Sequence, residues 1–523
     1  MIAPNSLSLF LALAFIVYAV FVDRKKRAIF PPGPPGLPLV GNILDLPKTR
    51  QWLAYQRWGR EYGTAVVHIK LFRTHVIVLN TVKAAKDLME KRSGLYSDRP
   101  CTVMQKLTGW VRNIGLMPYG DGWRAHRRSF NQYFHERASE KYRPQIQHWT
   151  EVILRSLLKD PDNFVKHVRF HSGALLLEIA YGLNIEDDDS PYVQSAKLAV
   201  EGANQIGQTG FFLVDLFPIL QHVPSWFPGA RFKRQAATWG KAVSAMYDLP
   251  WNAATDALSS GNANESIASL LLAREAKLGK AQEEVIKNVV GIAFAAGEET
   301  TTSTLATFFL ATVLNPDVQL AAREELDRVC GLYRLPDFED KDDLPFVTAV
   351  MYETMRWFPV APLGVAHKSV SDDWYEGLFI PGGASVIYNT WAILHDEKTY
   401  PEPAKFNPRR FLDADGNLLK DVVVPEAVFG FGRRICPGRY FALQMLWLFT
   451  ARVLATLKIE KPVDGKGRVI EPSGEFSDSS GAVCFPLPFK AAISPRSRTA
   501  AGLIQDCFEK RGEEDSSPTG EDV

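Results

Sequence analysis

The chain has 523 residues, 46% of them hydrophobic and 23% charged, with a formal net charge of +1. This is ordinary globular usage, long enough for a core around a large cofactor, and without the strongly basic footprint of nucleic-acid binders, so no nucleic-acid partner is expected. The five cysteines, Cys101, Cys330, Cys436, Cys484 and Cys507, are odd in number and far apart, which argues against a disulfide framework or a structural zinc site.

Residues 1–22 carry no charged side chain, and 7–22 are almost continuously apolar. At roughly 16 to 21 residues this run sits at the short end of a bilayer-spanning helix. The basic residues Arg24, Lys25, Lys26 and Arg27 follow Asp23 and stay cytoplasmic by the positive-inside rule. A cleaved signal peptide would carry its charge before the apolar run and a small-residue cleavage site after it, and neither is present. Residues 1–27 are therefore expected to form a single-pass transmembrane anchor, with the remainder facing the cytosol. Residues 28–45 read as a Pro/Gly-rich hinge: Pro31-Pro32-Gly33-Pro34-Pro35-Gly36-Leu37-Pro38 cannot continue a helix and favours an extended, semi-rigid path.

Over residues 66–79, apolar and polar positions alternate around Phe72-Arg73-Thr74, the pattern of a β-hairpin. Helical periods dominate elsewhere. The longest runs from about 283 to 314 and stops at Asn315-Pro316; another begins near Leu344-Pro345 and ends before Pro359. Next comes Phe429-Gly430-Phe431-Gly432-Arg433-Arg434-Ile435-Cys436-Pro437-Gly438, followed by an apolar run of helical length over 440–454. No internal repeat is visible. Residues 46–498 read as one globular domain, mainly α with a smaller β region, and 499–523 as an acidic tail expected to be disordered.

A lone cysteine in a glycine-rich loop is compatible with a structural role. Its surroundings also suit a thiolate ligand. A helix starting just after Cys436 points its positive end at the sulfur and lowers the thiol pKa, Gly432 and Gly438 allow tight turning and close approach, and Arg434 supplies a permanent cation.

The pattern Phe429-x-x-Gly432-x-Arg434-x-Cys436-x-Gly438 resembles the haem-binding signature of the cytochrome P-450 family. The resemblance implies the cytochrome P-450 fold, haem b (iron protoporphyrin IX) as cofactor, Cys436 as axial ligand of the haem iron, and Arg434 on a haem propionate. In the central helix, Ala296-Gly297-Glu298-Glu299-Thr300-Thr301 is similar to the family's oxygen-activation segment. Gly297 would remove a side chain beside the haem, where the helix can open locally, Thr300 would offer its hydroxyl to the oxygen chemistry, and Glu299 would relay protons from solvent. Trp123 and Arg127 match a Trp-x-x-x-Arg spacing that faces the haem edge and propionates, and His367 occupies the place of another propionate donor. Glu353, Arg356 and Arg409, the last in Phe406-Asn407-Pro408-Arg409-Arg410-Phe411, resemble the family's structural triad. The resemblance covers residues 31–495.

Anchor and hinge are similar to those of microsomal, reductase-dependent members, which implies the endoplasmic reticulum membrane. Details such as Trp391-Ala392-Ile393-Leu394-His395-Asp396 look like fungal members that act in secondary metabolism or xenobiotic oxidation. The implied activity is insertion of one oxygen atom from O2 into a hydrophobic small molecule, by hydroxylation or epoxidation. Electrons would come from NADPH through a separate NADPH-cytochrome P-450 reductase, because no flavin or nicotinamide domain is visible. Arg124, Arg127, Arg128, Arg433 and Arg439 are candidates for the reductase-docking surface. The substrate pocket should draw on 103–116, Phe211-Phe212, 293–297, 361–364 and the turn near 481–483, with Lys106 and Arg112 as its cations. A haem-thiolate peroxide isomerase and a non-enzymatic haem sensor or carrier are the alternatives. Isomerase-type relatives typically lack the Glu299-Thr300 pair, and a sensor has no need of it.

Overall fold

The computed structural model describes residues 29–207, 211–274, 279–419, 425–477 and 483–515. The expected anchor, the turn residues 481–482 and the tail end from 516 onward lie outside them. Among the described residues, no single helix is long and apolar enough to cross a membrane.

After helix α1 (Gln51–Glu61), strands β1 (Val66–Leu71) and β2 (Thr74–Leu79) form the expected hairpin, pairing antiparallel with Leu71 opposite Thr74. Their alternation buries Val67, Ile69, Val76 and Val78 completely or nearly so. The segment preceding α1 is not a detached spacer. The His68 amide donates to Pro32 O at 3.1 Å and the Asn42 amide to Lys70 O at 2.6 Å, so the proline-rich chain runs along β1. A Cβ on Gly33 would lie 2.1 Å from His68 O, which explains the glycine among the prolines.

The helical body comprises α2 (Asp121–Phe134), α3 (Arg143–Lys159), α4 (Phe164–Tyr181), α5 (Pro191–Ile206), α6 (Arg231–Ser259), α7 (Lys280–Leu314), α8 (Pro316–Cys330) and α9 (Pro345–Trp357). The long helix α7 is the axis of the core. It packs on α4, α2, α6 and α9, and Asn315 ends it where Pro316, which suits a first turn, opens α8. Short strands β3 (His367–Lys368), β4 (Asp373–Tyr375), β5 (Leu378–Ile380) and β6 (Ser385–Tyr388) follow, and β6 joins β2 in parallel to give a sheet of order β1-β2-β6-β3. The helix after the cysteine, α10 (Arg439–Thr456), is buried over its last twelve residues, 445–456, and strands β7 (Leu457–Glu460) and β8 (Ala492–Pro495) pair behind it.

The structure corrects one boundary. Residues Arg498–Asp515 form helix α11, where a disordered tail is expected from 499. Ala500 and Ile504 are buried, 3% and 1% exposed, so an apolar stripe holds its first turns to the body despite the polar composition of the segment.

Candidate active site

Two backbone constraints shape the cysteine loop. Gly432 has a φ of +60°, and a Cβ there would lie 2.0 Å from the Met89 carbonyl oxygen, so only glycine lets the loop press on the π-helical turn Lys86–Lys91. The Cys436 amide then donates to Phe429 O at 2.7 Å. Burial pushes the Cys436 thiol up, while the Gly438 amide, Arg127 and Arg439 pull it down. Cys436 lies deep in the chain yet keeps intermediate exposure, so it faces an interior space. A Cβ on Gly438 would meet nothing within 4 Å, so no protein neighbour accounts for that glycine.

Around this loop the structure gathers cations. Arg434 donates to Ser97 O (2.8 Å), Ile114 O (3.0 Å) and Met117 O (2.9 Å), and its guanidinium lies 4.5 Å from the Trp123 ring centroid. Arg127 reaches Ile435 O at 2.6 Å. Arg99, which no sequence pattern singled out, is 5% exposed and donates to Gly115 O and Ala366 O at 2.9 and 2.7 Å. Among the described residues, none of these three makes an ion pair with a carboxylate; the nearby Asp98 pairs with Lys368 at 3.5 Å. Burial, and then repulsion from Arg99, lowers the Arg434 guanidinium. Buried, carboxylate-free guanidiniums are costly unless an anionic group compensates them, and a cofactor with two carboxylates would do so.

His367 is 1% exposed, and its Nδ1 lies 2.6 Å from Tyr96 O. A carbonyl only accepts, so Nδ1 carries the proton and Nε2 can donate to a carboxylate only as the imidazolium. Burial, followed by the charge of Arg99, holds His367 well below its usual pKa. An anion beside Nε2 would reverse that balance.

Helix α7 is buried from 288 to 313 except at Ala296, Gly297, Thr300 and Thr304. Ala296, Thr300 and Thr304 are spaced i, i+4, i+8 and form one accessible stripe on the helix. The Thr300 hydroxyl donates to Ala296 O at 2.9 Å, which leaves its oxygen lone pairs to accept. Glu299 points elsewhere. Its Oε2 lies 2.8 Å from Arg169 Nη1 on α4, and the same nitrogen is 3.3 Å from Glu298 Oε1. Among the described residues, no hydrogen bond joins Glu299 to Thr300, so a proton passing between them needs a bridging molecule or a side-chain rotation.

Several expectations need correction. Helix α7 runs through Gly297 without the expected local opening, and a Cβ there would lie 2.7 Å from Cδ1 of Leu176, the movable end of a side chain on α4. Arg410 rather than Arg409 completes the cluster of Glu353 and Arg356: its Nε is 3.2 Å from Glu353 Oε1, while Arg409 stacks on Phe346. Of the presumed pocket cations, Lys106 is exposed and Arg112 pairs with Glu284 at 3.7 Å; Phe211 is exposed and Phe212 buried. Arg127 turns inward, whereas Arg124, Arg128 and Arg433 stay at the surface.

The sequence model of the family described as Cytochrome P450 matches residues 31–481. This chain belongs to the cytochrome P450 family. A cytochrome P450 monooxygenase of Armillaria gallica is 39% identical over 94% of this chain and 98% of its own length. Another, of Postia placenta, is 39% identical over 96% and 98%. The tryptamine 4-monooxygenase of Psilocybe cyanescens is 37% identical over 93% and 97%. With these relatives over nearly its whole length, the protein is a P450 monooxygenase, and a P450 requires haem iron. The mainly helical body with its small sheets fits the P450 fold.

Proposed function

We propose that this P450 inserts one oxygen atom from O2 into a hydrophobic small molecule, by hydroxylation or epoxidation, with electrons from NADPH delivered by a separate NADPH-cytochrome P450 reductase. The observation that carries this reading is Thr300, a hydroxyl on an accessible stripe in the middle of a helix whose other faces are buried there.

Haem b would supply the site for binding and reducing dioxygen. Cys436 would ligate its iron as thiolate, helped by the Gly438 amide and by Arg127 and Arg439. Arg434, Arg127 and Arg99 would neutralise the propionates, with Trp123 holding the Arg434 guanidinium in place and His367 adding a donor once protonated. Phe429, Gly432 and Gly438 give the loop its shape. On the other side, Thr300 would hold and pass a proton, and Glu299 would replenish it. Arg124, Arg128 and Arg433 present exposed positive charge near the cysteine loop, which suits an acidic reductase surface.

Attachment to the endoplasmic reticulum membrane through residues 1–27 is part of this proposal. It is supported by exposed apolar side chains at Leu213, Ile219, Trp226 and Phe227, 60%, 74%, 77% and 48% exposed, and at Leu39 and Leu44 in the N-terminal segment. The Phe72 and Phe217 rings, 4.8 Å apart, tie the two regions together. Kinship with fungal monooxygenases suits a role in secondary metabolism or xenobiotic oxidation.

The test is co-expression with a P450 reductase and a panel of aromatic, indolic and terpenoid compounds. NADPH consumption that rises with one compound and yields a product one oxygen heavier is expected. An isomerised peroxide formed without NADPH would overturn the reading.

A further inference from the structure

The middle of α7 carries a second buried acid that the relay does not use. Glu298 is 3% exposed and Glu299 8%, and both carboxylates meet the single nitrogen Arg169 Nη1. Arg169 comes from α4, where it lies over the Phe485 ring at 5.2 Å and is itself one-quarter exposed. The other charged groups acting on Glu298 are Lys197 on α5 and Asp188 just before it, which pair with each other at 2.6 Å. Lys197 and Asp188 cancel, so two carboxylates face one guanidinium in a closed site. The space is tight as well: a Cβ on Gly173 would lie 3.3 Å from Glu298 Cγ. One net negative charge in such a place is unfavourable, and binding a proton removes it.

We propose that Glu298 is the proton-carrying member of this cluster, and that its ionisation controls how readily Glu299 takes up and releases the proton meant for Thr300. The second half rests on the relay reading above. Glu298 is the deeper acid and has the longer contact to Arg169, so the proton sits there, and the closer contact to the guanidinium belongs to Glu299. Burial pushes Glu298 up to about 7, with Arg169 opposing and the charge of Glu299 adding to the rise. When Glu298 loses its proton to solvent, the cluster gains a negative charge beside Glu299, and Arg169 is divided between two carboxylates. One O–H bond of the Glu298 carboxyl breaks, its electron pair stays on the carboxylate, and the proton passes to solvent water; nothing is oxidised or reduced. Glu298 thus acts as a positioning residue that sets the working pH of the relay.

The test has two readouts. Infrared difference spectroscopy of the resting holoprotein should show a protonated carboxylic acid band that titrates near neutral pH in wild type, disappears in Glu298→Gln, and titrates at lower pH in Glu299→Gln, where the second carboxylate is gone. A band that survives Glu298→Gln, keeps its wild-type titration in Glu299→Gln, or is absent from wild type overturns the assignment. In turnover with reductase and a found substrate, the ratio of product to NADPH should change across neutral pH in wild type and become flat in Glu298→Gln, which mimics the protonated acid in shape and charge. A wild-type pH profile in Glu298→Gln overturns the control role. Failure of the relay itself would show separately, as an unchanged ratio in Glu299→Gln, and would overturn the second half of the proposal while the infrared titration still decides where the proton sits.

Discussion

Arg410 Nε lies 3.2 Å from Glu353 Oε1, while the adjacent Arg409 guanidinium sits 5.3 Å from the Phe346 ring centroid. Glu353 is fully buried and already holds Arg356 through two bonds of 2.6 and 2.8 Å, so Arg410 is the third member of a closed charge cluster. Losing Arg410 leaves the Glu353–Arg356 pair in place but removes a charged donor from a buried carboxylate oxygen. Arg410→Ala should therefore cost about 1.5–3 kcal/mol in chemical denaturation and lower haem content, while Arg409→Ala should cost less than about 1 kcal/mol. Equal losses in the two variants would contradict this pairing.

Cys436→Ser should abolish the thiolate-type carbon monoxide difference spectrum of the reduced protein, because a hydroxyl cannot match the electron donation of sulfur. Replacing Cys101, Cys330, Cys484 or Cys507 should leave that spectrum intact. A spectrum retained in Cys436→Ser would remove the assignment of the ligand.

Thr300→Ala should still bind haem, accept electrons and consume NADPH. The ratio of product to NADPH should fall roughly tenfold or more as the proton-passing hydroxyl is lost, and hydrogen peroxide should rise to match. Product and peroxide are measured in parallel at equal haem content, and an unchanged ratio would reduce the 296–301 match to an ordinary stretch of helix.

The pH dependence of stability follows from Glu298, which burial raises from 4.5 to about 7. Between these values the folded protein holds more of this proton than the unfolded chain does, so its contribution to stability declines as pH rises through that window and is constant above it. Glu298→Gln removes the decline. Relative to wild type it should gain about 1–3 kcal/mol between roughly pH 5 and pH 8 in denaturant unfolding. A difference that stays the same at both ends would place the proton elsewhere.

Removing residues 1–27 should release the protein from microsomes in part while the haem spectrum survives. Adding Ile219→Asp and Trp226→Asp to the truncated chain should lower the remaining pelleted fraction several-fold, since both side chains are exposed apolar surface that would otherwise enter the lipid interface. Membrane association that the two charges do not reduce would show that this loop does not touch lipid.

The parts that could be read from the amino-acid sequence are those whose physics is local. The hairpin at 66–79 and the helix ending at Asn315 follow from side-chain period and proline placement, and the cysteine loop packs its chemistry into ten consecutive residues. Arg169 stands 130 positions before Glu299, and nothing in its own helix marks it as the partner of two acids. Arg409 and Arg410 are identical neighbours that only the turn Pro408–Phe411 distinguishes, by sending one to Glu353 and the other to an aromatic face.

The contact of Gly432 with the Met89 carbonyl also bears on biosynthesis. The two halves of that clasp are more than three hundred positions apart, and the thiol comes with the later half. During translation Met89 emerges early, but it packs in one cluster with Tyr375, Val386, Tyr388 and Phe431 from the later half, so its surroundings and the iron site are completed together once the loop has been made. Haem capture is therefore a late event in the life of the nascent polypeptide, and truncated products that stop before the loop would be folded in part yet unable to retain the cofactor.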